Sequence, residues 1–138
     1  MTSSAMASAG CVLDASVVIA LWSSRDAHHQ DARDLLGQVP TAALLMHAVT
    51  AAEVLVGPAR LGRTADAERA LDELGVRIAA FAPHEVGAVA TLRATTRLRL
   101  PDVCVLHLAA STGSSLATFD ERLAAATVTR GVPLVGVE

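Results

Sequence analysis

Four carboxylates in this 138-residue chain stand where an apolar run meets the start of a helical pattern: Asp14 after "CVL", Glu53 after "LLMHAVTAA", Asp102 after Pro101, and Asp120 after "SLATF". Each alone has an ordinary structural use. Asp14 can cap a helix beginning near Ser16, and Thr50 to Glu53 has the T-x-x-E form of a capping box. Asp102 beside a proline at the first helical position is dipole chemistry, worth about 0.3–1 kcal/mol. Asp120 fits an N-cap, worth about 1 kcal/mol. Taken together the four suggest more, because ligands in open α/β sheets bind at the carboxyl ends of the strands. Asp102 joins the other three there if its helix packs beside the first strand. Two carboxylates about 4 Å apart repel by roughly 4 kcal/mol at an effective dielectric of 20. A cluster of four therefore needs arginine, a proton or a hard divalent cation, and Mg²⁺ or Mn²⁺ suits an all-carboxylate site that keeps waters for a phosphate substrate.

The elements that must position these acids alternate between strand-length apolar runs and longer helical patterns, which predicts an α/β domain with a small, mostly parallel sheet. "CVLDA" reads as the first strand, followed by helices over "SVVIALW" and "HHQDARDLLGQ". "LLMHA" is the second strand, followed by helices from "TAAEVLVGPARL" and over "TADAERALDEL", the latter stopping at Gly75. "VRIAAF" is a strand and "HEVGAVATLRATTR" a helix carrying Arg93 and Arg97 on one face. "PDVCVLHLAAS" is apolar nearly all round and so a buried helix. The chain closes with strand "SLATF", helix "DERLAAATVTR", Gly131 as the helix stop, and strand "PLVGV". Residues 1–9 are expected to be a frayed N-terminus and residues 10–138 a single domain.

Composition removes several chemistries. All eleven basic residues are arginine. Without lysine the chain has neither a phosphate-binding P-loop nor Schiff-base chemistry. Trp22, Phe81 and Phe119 are its only aromatics, too few for stacking successive bases, so a nucleic acid would be held by its phosphates. Cys11 and Cys104 lie in apolar runs with no metal or disulfide spacing, which points to buried thiols and a reducing, cytoplasmic setting. The first ten residues contain no Lys or Arg and fail as a signal peptide, and no run is long enough to span a membrane.

The blocks "VLDASVVIALW", "TAAEVLVGPARLG", "RLRLPDVCVLHLAA" and "LATFDERL" resemble the four motif blocks of PIN-domain ribonucleases, closest to the VapC toxins of bacterial type II toxin–antitoxin systems. The resemblance runs from Val12 to Val137 in the family's order and spacing. It implies a three-layer α/β/α domain that cleaves RNA with Mg²⁺ or Mn²⁺, as a homodimer silenced by a cognate VapB-type antitoxin. It also implies that Asp14, Glu53, Asp102 and Asp120 are the catalytic set. Asp14, Asp102 and Asp120 are then the metal ligands, with Glu53 a further ligand or the holder of a water, and Ser16 and Thr118 are polar helpers.

An acidic pocket repels RNA, so affinity falls to arginine: Arg97 and Arg99 upstream of Asp102, Arg60 and Arg63 downstream of Glu53. Arg122 is a candidate to pair with an active-site acid at rest. None of the five histidines is assigned; His28 and His29 point apart on a helix, and His107 falls in an apolar one. The helices "AAEVLV" and "ALDEL" carry apolar surface suited to a dimer face or an antitoxin groove. A phosphate-receiver domain or a dehalogenase-like phosphatase also gathers acids around Mg²⁺, but the missing lysine counts against both. The remaining alternative is a noncatalytic binding module whose acids are only caps.

Overall fold

The computed structural model describes residues 10–40 and 43–135. The expected frayed N-terminus at residues 1–9 lies outside the described residues. In chain order the elements are β1 (Cys11–Leu13), α1 (Ala15–Trp22), α2 (His29–Gly37), β2 (Leu44–His47), α3 (Ala48–Arg60), α4 (Thr64–Leu74), β3 (Arg77–Ala79), a 3₁₀ turn (Pro83–Glu85), α5 (Val86–Thr95), α6 (Leu100–Thr112), β4 (Ser115–Ala117) and α7 (Glu121–Thr129). The four strands pair in parallel in the order β3-β2-β1-β4.

Strand alternation divides the core in two. Cys11, Leu13, Leu44, Met46 and Ala117 pack on one face of the sheet with residues of α1 to α4, among them Val17, Ala32, Val54 and Leu71. Val12 and Leu116 face the other way, against Val89 of α5, Val103 and Leu106 of α6, and Leu123 of α7. A sheet buried on both faces needs continuous apolar strands, which is why "CVL" and "LLM" lack the polar alternation of a half-exposed sheet. The result is the expected three-layer α/β/α arrangement. Helix α6 is buried over Val103–Leu106 and at Leu108 and Ala109, as its all-round apolar sequence predicts. Gly75 and Gly131 follow helix ends at φ 90° and 75°, left-handed positions that a side chain would strain.

Three local expectations are corrected. Helix α3 begins at Ala48, because His47 takes the N-cap position and its Nδ1 accepts the Val49 N–H at 3.0 Å. Thr50 is thus inside the helix and fully buried, its hydroxyl has no hydrogen-bond partner among the described residues, and the Thr50–Glu53 capping box does not form. Helix α5 ends at Thr95, so Arg97 lies in the loop to α6 rather than on a helical face with Arg93. At the C-terminal end, Leu134 makes a single parallel bridge to Leu116 in place of the expected strand, and residues 136–138 lie outside the described residues.

Candidate active site

Strand order fixes where a site belongs. From β1 the chain steps to β2 and β3 on one side and returns to place β4 on the other, so β1 and β4 flank the point where the winding reverses. The connections that leave the carboxyl ends of two such strands run to opposite faces of the sheet and leave a crevice between them. Asp14 follows β1, and Thr118 to Asp120 follow β4. The Asp14 N–H donates to the Ala117 carbonyl at 3.0 Å, which extends the pairing to the lip of the crevice.

Asp14 is buried and occupies the N-cap position of α1, but its side chain caps nothing. One carboxylate oxygen, Oδ2, instead accepts two hydroxyl protons, from Ser16 Oγ and Thr118 Oγ1, each at 2.7 Å. Both hydroxyl oxygens are held from behind by backbone: the Phe119 N–H donates to Ser16 Oγ at 3.0 Å and the Asp120 N–H to Thr118 Oγ1 at 2.9 Å. Polarity therefore runs one way, from the end of β4 through two hydroxyls into Asp14. This fixes the carboxylate's orientation and leaves its other oxygen without a partner among the described residues.

Asp120 is the N-cap of α7, and its Oδ1 accepts from the N–H groups of Arg122 and Leu123 at 2.9 and 3.1 Å. Its structural use is real, and it occupies only one oxygen. Asp102 sits in the first turn of α6 after Pro101, with 14% of its side chain exposed and Arg99 Nε 3.8 Å from its Oδ2. Burial pushes the Asp102 carboxyl above its ordinary range. The charge of Asp14 adds to the rise, Arg99 opposes it, and Asp120 and Glu53 add further. Glu53 lies on the second turn of α3. Although much of the residue is open to solvent, partial burial of its carboxyl raises its pKa, Arg99 works against that rise and Asp14 reinforces it. Glu53 also joins burial in pushing up the thiol of Cys104 on α6. The charges of Asp14, Glu53 and Asp120 thus all bear on Asp102 across segments far apart in sequence, while Arg99 opposes the rise at both Asp102 and Glu53.

Among the described residues no three His, Cys, Asp or Glu side chains already converge as a ready-made metal cluster. The donor chemistry nevertheless suits a hard cation. Asp14 and Asp120 each keep a carboxylate oxygen free of hydrogen bonds among the described residues, Asp102 and Glu53 disfavour their own charged forms, and Mg²⁺ completes its shell with water.

Against this geometry, the PIN domain family model matches residues 11–128. The chain belongs to the PIN-domain family. Among solved structures, this PIN domain is similar to a toxin–antitoxin complex from Klebsiella pneumoniae, with 23% identity, a TM-score of 0.71, and coverage of 83% of this chain and 91% of that one. It is similar also to the Mycobacterium tuberculosis toxin VapC20, described as cleaving the sarcin–ricin loop, with 19% identity, a TM-score of 0.70, and coverage of 85% and 95%. A third similar structure is PAE2754 from Pyrobaculum aerophilum, at 26% identity, a TM-score of 0.60, and coverage of 91% and 90%. Among curated proteins none matches the chain.

The other expected residues disperse. Arg122 pairs with no acid among the described residues; its Nη2 donates to the Arg97 carbonyl at 3.2 Å. Arg63 faces Asp66 at 3.4 Å in the turn before α4, and Arg60 is exposed at the end of α3. The PIN-domain crevice also borders a feature that sequence reading missed. His28 stacks on Phe119, ring centroids 4.5 Å apart and planes within 7°, while His29 turns the other way to meet the Ala20 carbonyl at 2.8 Å. Phe119 lies between Thr118 and Asp120 in sequence, which marks its ring as a neighbour of the site; the signal for His28 is tertiary. Farther off, His107 meets Glu85 at 2.8 Å. No described helix is long and apolar enough to cross a membrane.

Proposed function

We propose that this PIN domain is a Mg²⁺- or Mn²⁺-dependent endoribonuclease and the toxin of a type II toxin–antitoxin pair, acting in the cytoplasm. The observation that carries the reading is Asp14, buried at the end of β1 and held by the Ser16 and Thr118 hydroxyls at 2.7 Å, with its charge among the causes that raise the Asp102 and Glu53 carboxyls. Caps alone do not require Asp14 to be buried and doubly hydrogen-bonded while capping nothing. Similarity to the Klebsiella toxin–antitoxin complex and to VapC20 supports RNA as substrate and an antitoxin as partner.

In this reading Asp14, Asp102 and Asp120 would hold the ion. When bound, the ion supplies Lewis acidity toward the scissile phosphate and lowers the pKa of a water. Glu53 would orient a water and accept its proton at the carboxylate, a role for which a raised pKa is suited. Ser16 and Thr118 keep Asp14 aimed. Arg99 balances Asp102 and Glu53 in the free protein and turns to the substrate phosphate, with Arg60, Arg63 and Arg97 as further phosphate contacts. A cognate VapB-type antitoxin and a second copy of the chain are the proposed protein partners. The apolar groove between α3 and α4, lined by Ala48, Ala51, Leu55, Leu71 and Ile78, is a suitable seat for one of them.

The test is cleavage of single-stranded RNA against DNA of the same sequence, with Mg²⁺, with Mn²⁺ and with chelator. RNA cut only with the metals, and not by folded Asp14→Asn or Asp102→Asn, is expected. Cleavage that survives both substitutions contradicts the proposal.

A further inference from the structure

The segments that deliver Asp102 and Asp120 also wall a second feature. A cleft of about 310 Å³ opens between the loop that leads from α5 into α6 and the outer face of α7, lined by Arg97, Arg122 and Arg130 with the hydroxyl-bearing Thr95, Thr96 and Thr129. Among the described residues no carboxylate lines it. What sets these three apart is that they gather in one cleft. Several of the chain's scattered arginines also lack an acid among the described residues, while three others have one. Arg63 and Arg69 both sit on Asp66, and Arg99 sits on Asp102. Among the described residues Arg97, Arg122 and Arg130 pair with no acid, although the chain has more acidic than basic residues. Arg122 spends one donor on the Arg97 carbonyl at 3.2 Å, and Arg130 one on Thr95 Oγ1 at 2.9 Å. A guanidinium carries about five N–H donors in a planar fork, so most of the donors remain free. Like charges gathered without a counter-charge repel, and an anion relieves that repulsion.

We infer that this cleft binds backbone phosphates of the nucleic-acid strand whose scissile bond lies among the four acids. The inference rests on the ribonuclease reading above. Arg122 is in the first turn of α7, two residues after Asp120, and Arg97 precedes Asp102 by five residues, so the cleft begins beside the acids. At about 1.5 Å per residue, α7 places Arg130 about 12 Å along the helix from Arg122. That lays out a track for more than one phosphate leading away from the reaction centre. Planar forks recognise phosphate oxygens in pairs, and hydroxyls from Thr95, Thr96 and Thr129 add neutral donors. The cleft thus supplies the attraction that the acidic crevice lacks, without placing a cation among the metal ligands.

The experiment uses the full chain. Binding of a fluorescent single-stranded RNA is measured by anisotropy against KCl in an Asp102→Asn background, and cleavage kinetics in the otherwise unaltered chain. Each phosphate contact contributes about −0.7 to the slope of log K against log salt for a single strand. The double variant Arg122→Gln/Arg130→Gln is expected to lose about 1.4 from that slope. It is also expected to raise KM about ten-fold with kcat little changed, while Arg33→Gln on α2 changes neither. An unchanged slope and KM in the double variant, alongside an active parent enzyme, overturns the cleft and leaves the ribonuclease reading standing. A parent chain that neither binds nor cuts RNA removes both. RNA binding that persists while an acidic partner protein is lost assigns the cleft to that partner and overturns the inference.

Discussion

The Thr118 hydroxyl donates to the Asp14 carboxylate at 2.7 Å, joining residues 104 positions apart in the sequence. Thr118 is almost wholly buried, and its oxygen also receives the Asp120 N–H, so one side chain ties the ends of β1 and β4 together. Hydrogen bonds to charged groups contribute about 1.5–3 kcal/mol. Thr118→Val is expected to cost that much in urea unfolding and to lower kcat more than it raises KM. Thr118→Ser keeps the hydroxyl and is expected to restore most of both. A valine variant of unaltered stability would show that the contact does not form in solution.

Asp120 combines a cap with a proposed site role, and two substitutions separate them. Asp120→Asn keeps an acceptor for the Arg122 and Leu123 N–H groups, and asparagine caps as well as aspartate. Its stability is expected to stay near that of the parent while metal-dependent cleavage falls at least ten-fold. Asp120→Ala loses the cap too, at about 1 kcal/mol. Equal activity in Asp120→Asn and the parent would reduce Asp120 to a structural residue.

The Asp102 carboxyl, raised above its ordinary value of 3.8, gives a prediction in pH. In the native state it binds its proton more tightly than in the unfolded chain, so stability falls as pH rises from that ordinary value through the folded one, and the full penalty remains at neutral pH. Glu53 is raised in the same sense. Asp102→Asn is therefore expected to melt higher than the parent at pH 7 in chelator, and to lose that advantage in acid, where the parent's carboxyls are protonated. A variant less stable than the parent at pH 7 argues against a strained acid cluster.

His47 tests the other sign. Burial lowers its pKa from the ordinary 6.5, with a smaller push from His107. Accepting the Val49 N–H at Nδ1 also places the neutral ring's proton on Nε2, which is buried without a partner among the described residues. Stability linked to His47 is then complete above the unfolded pKa and drains away as pH falls through the depressed folded value. His47→Asn retains a cap and removes the titration. Its stability relative to the parent is expected to improve from pH 7.5 to pH 5 in urea unfolding, and a constant difference would contradict the assignment.

What was legible in the sequence followed from local rules. Apolar runs of strand length gave the sheet, Gly75 and Gly131 gave helix stops, and "PDVCVLHLAAS" gave the buried α6. The acids stood out because strand ends in a parallel sheet share one edge, and family likeness named them together. The misses are tertiary. Nothing local tells that a histidine will displace Thr50 from the cap of α3, since that follows from where β2 releases the chain. The free arginines of α7 and the stacking of His28 on Phe119 depend on loops meeting helices far away in sequence, which spacing does not encode.

The central claim is that Asp14, Glu53, Asp102 and Asp120 act as one receptor for a divalent cation, and calorimetric titration of the metal-free chain with Mn²⁺ tests it most directly. Saturable uptake that is weakened at least ten-fold by Asp14→Asn and by Asp102→Asn, but not by Asp31→Asn on α2, is the predicted result. Absence of uptake by the folded parent, or equal uptake by all four proteins, contradicts it.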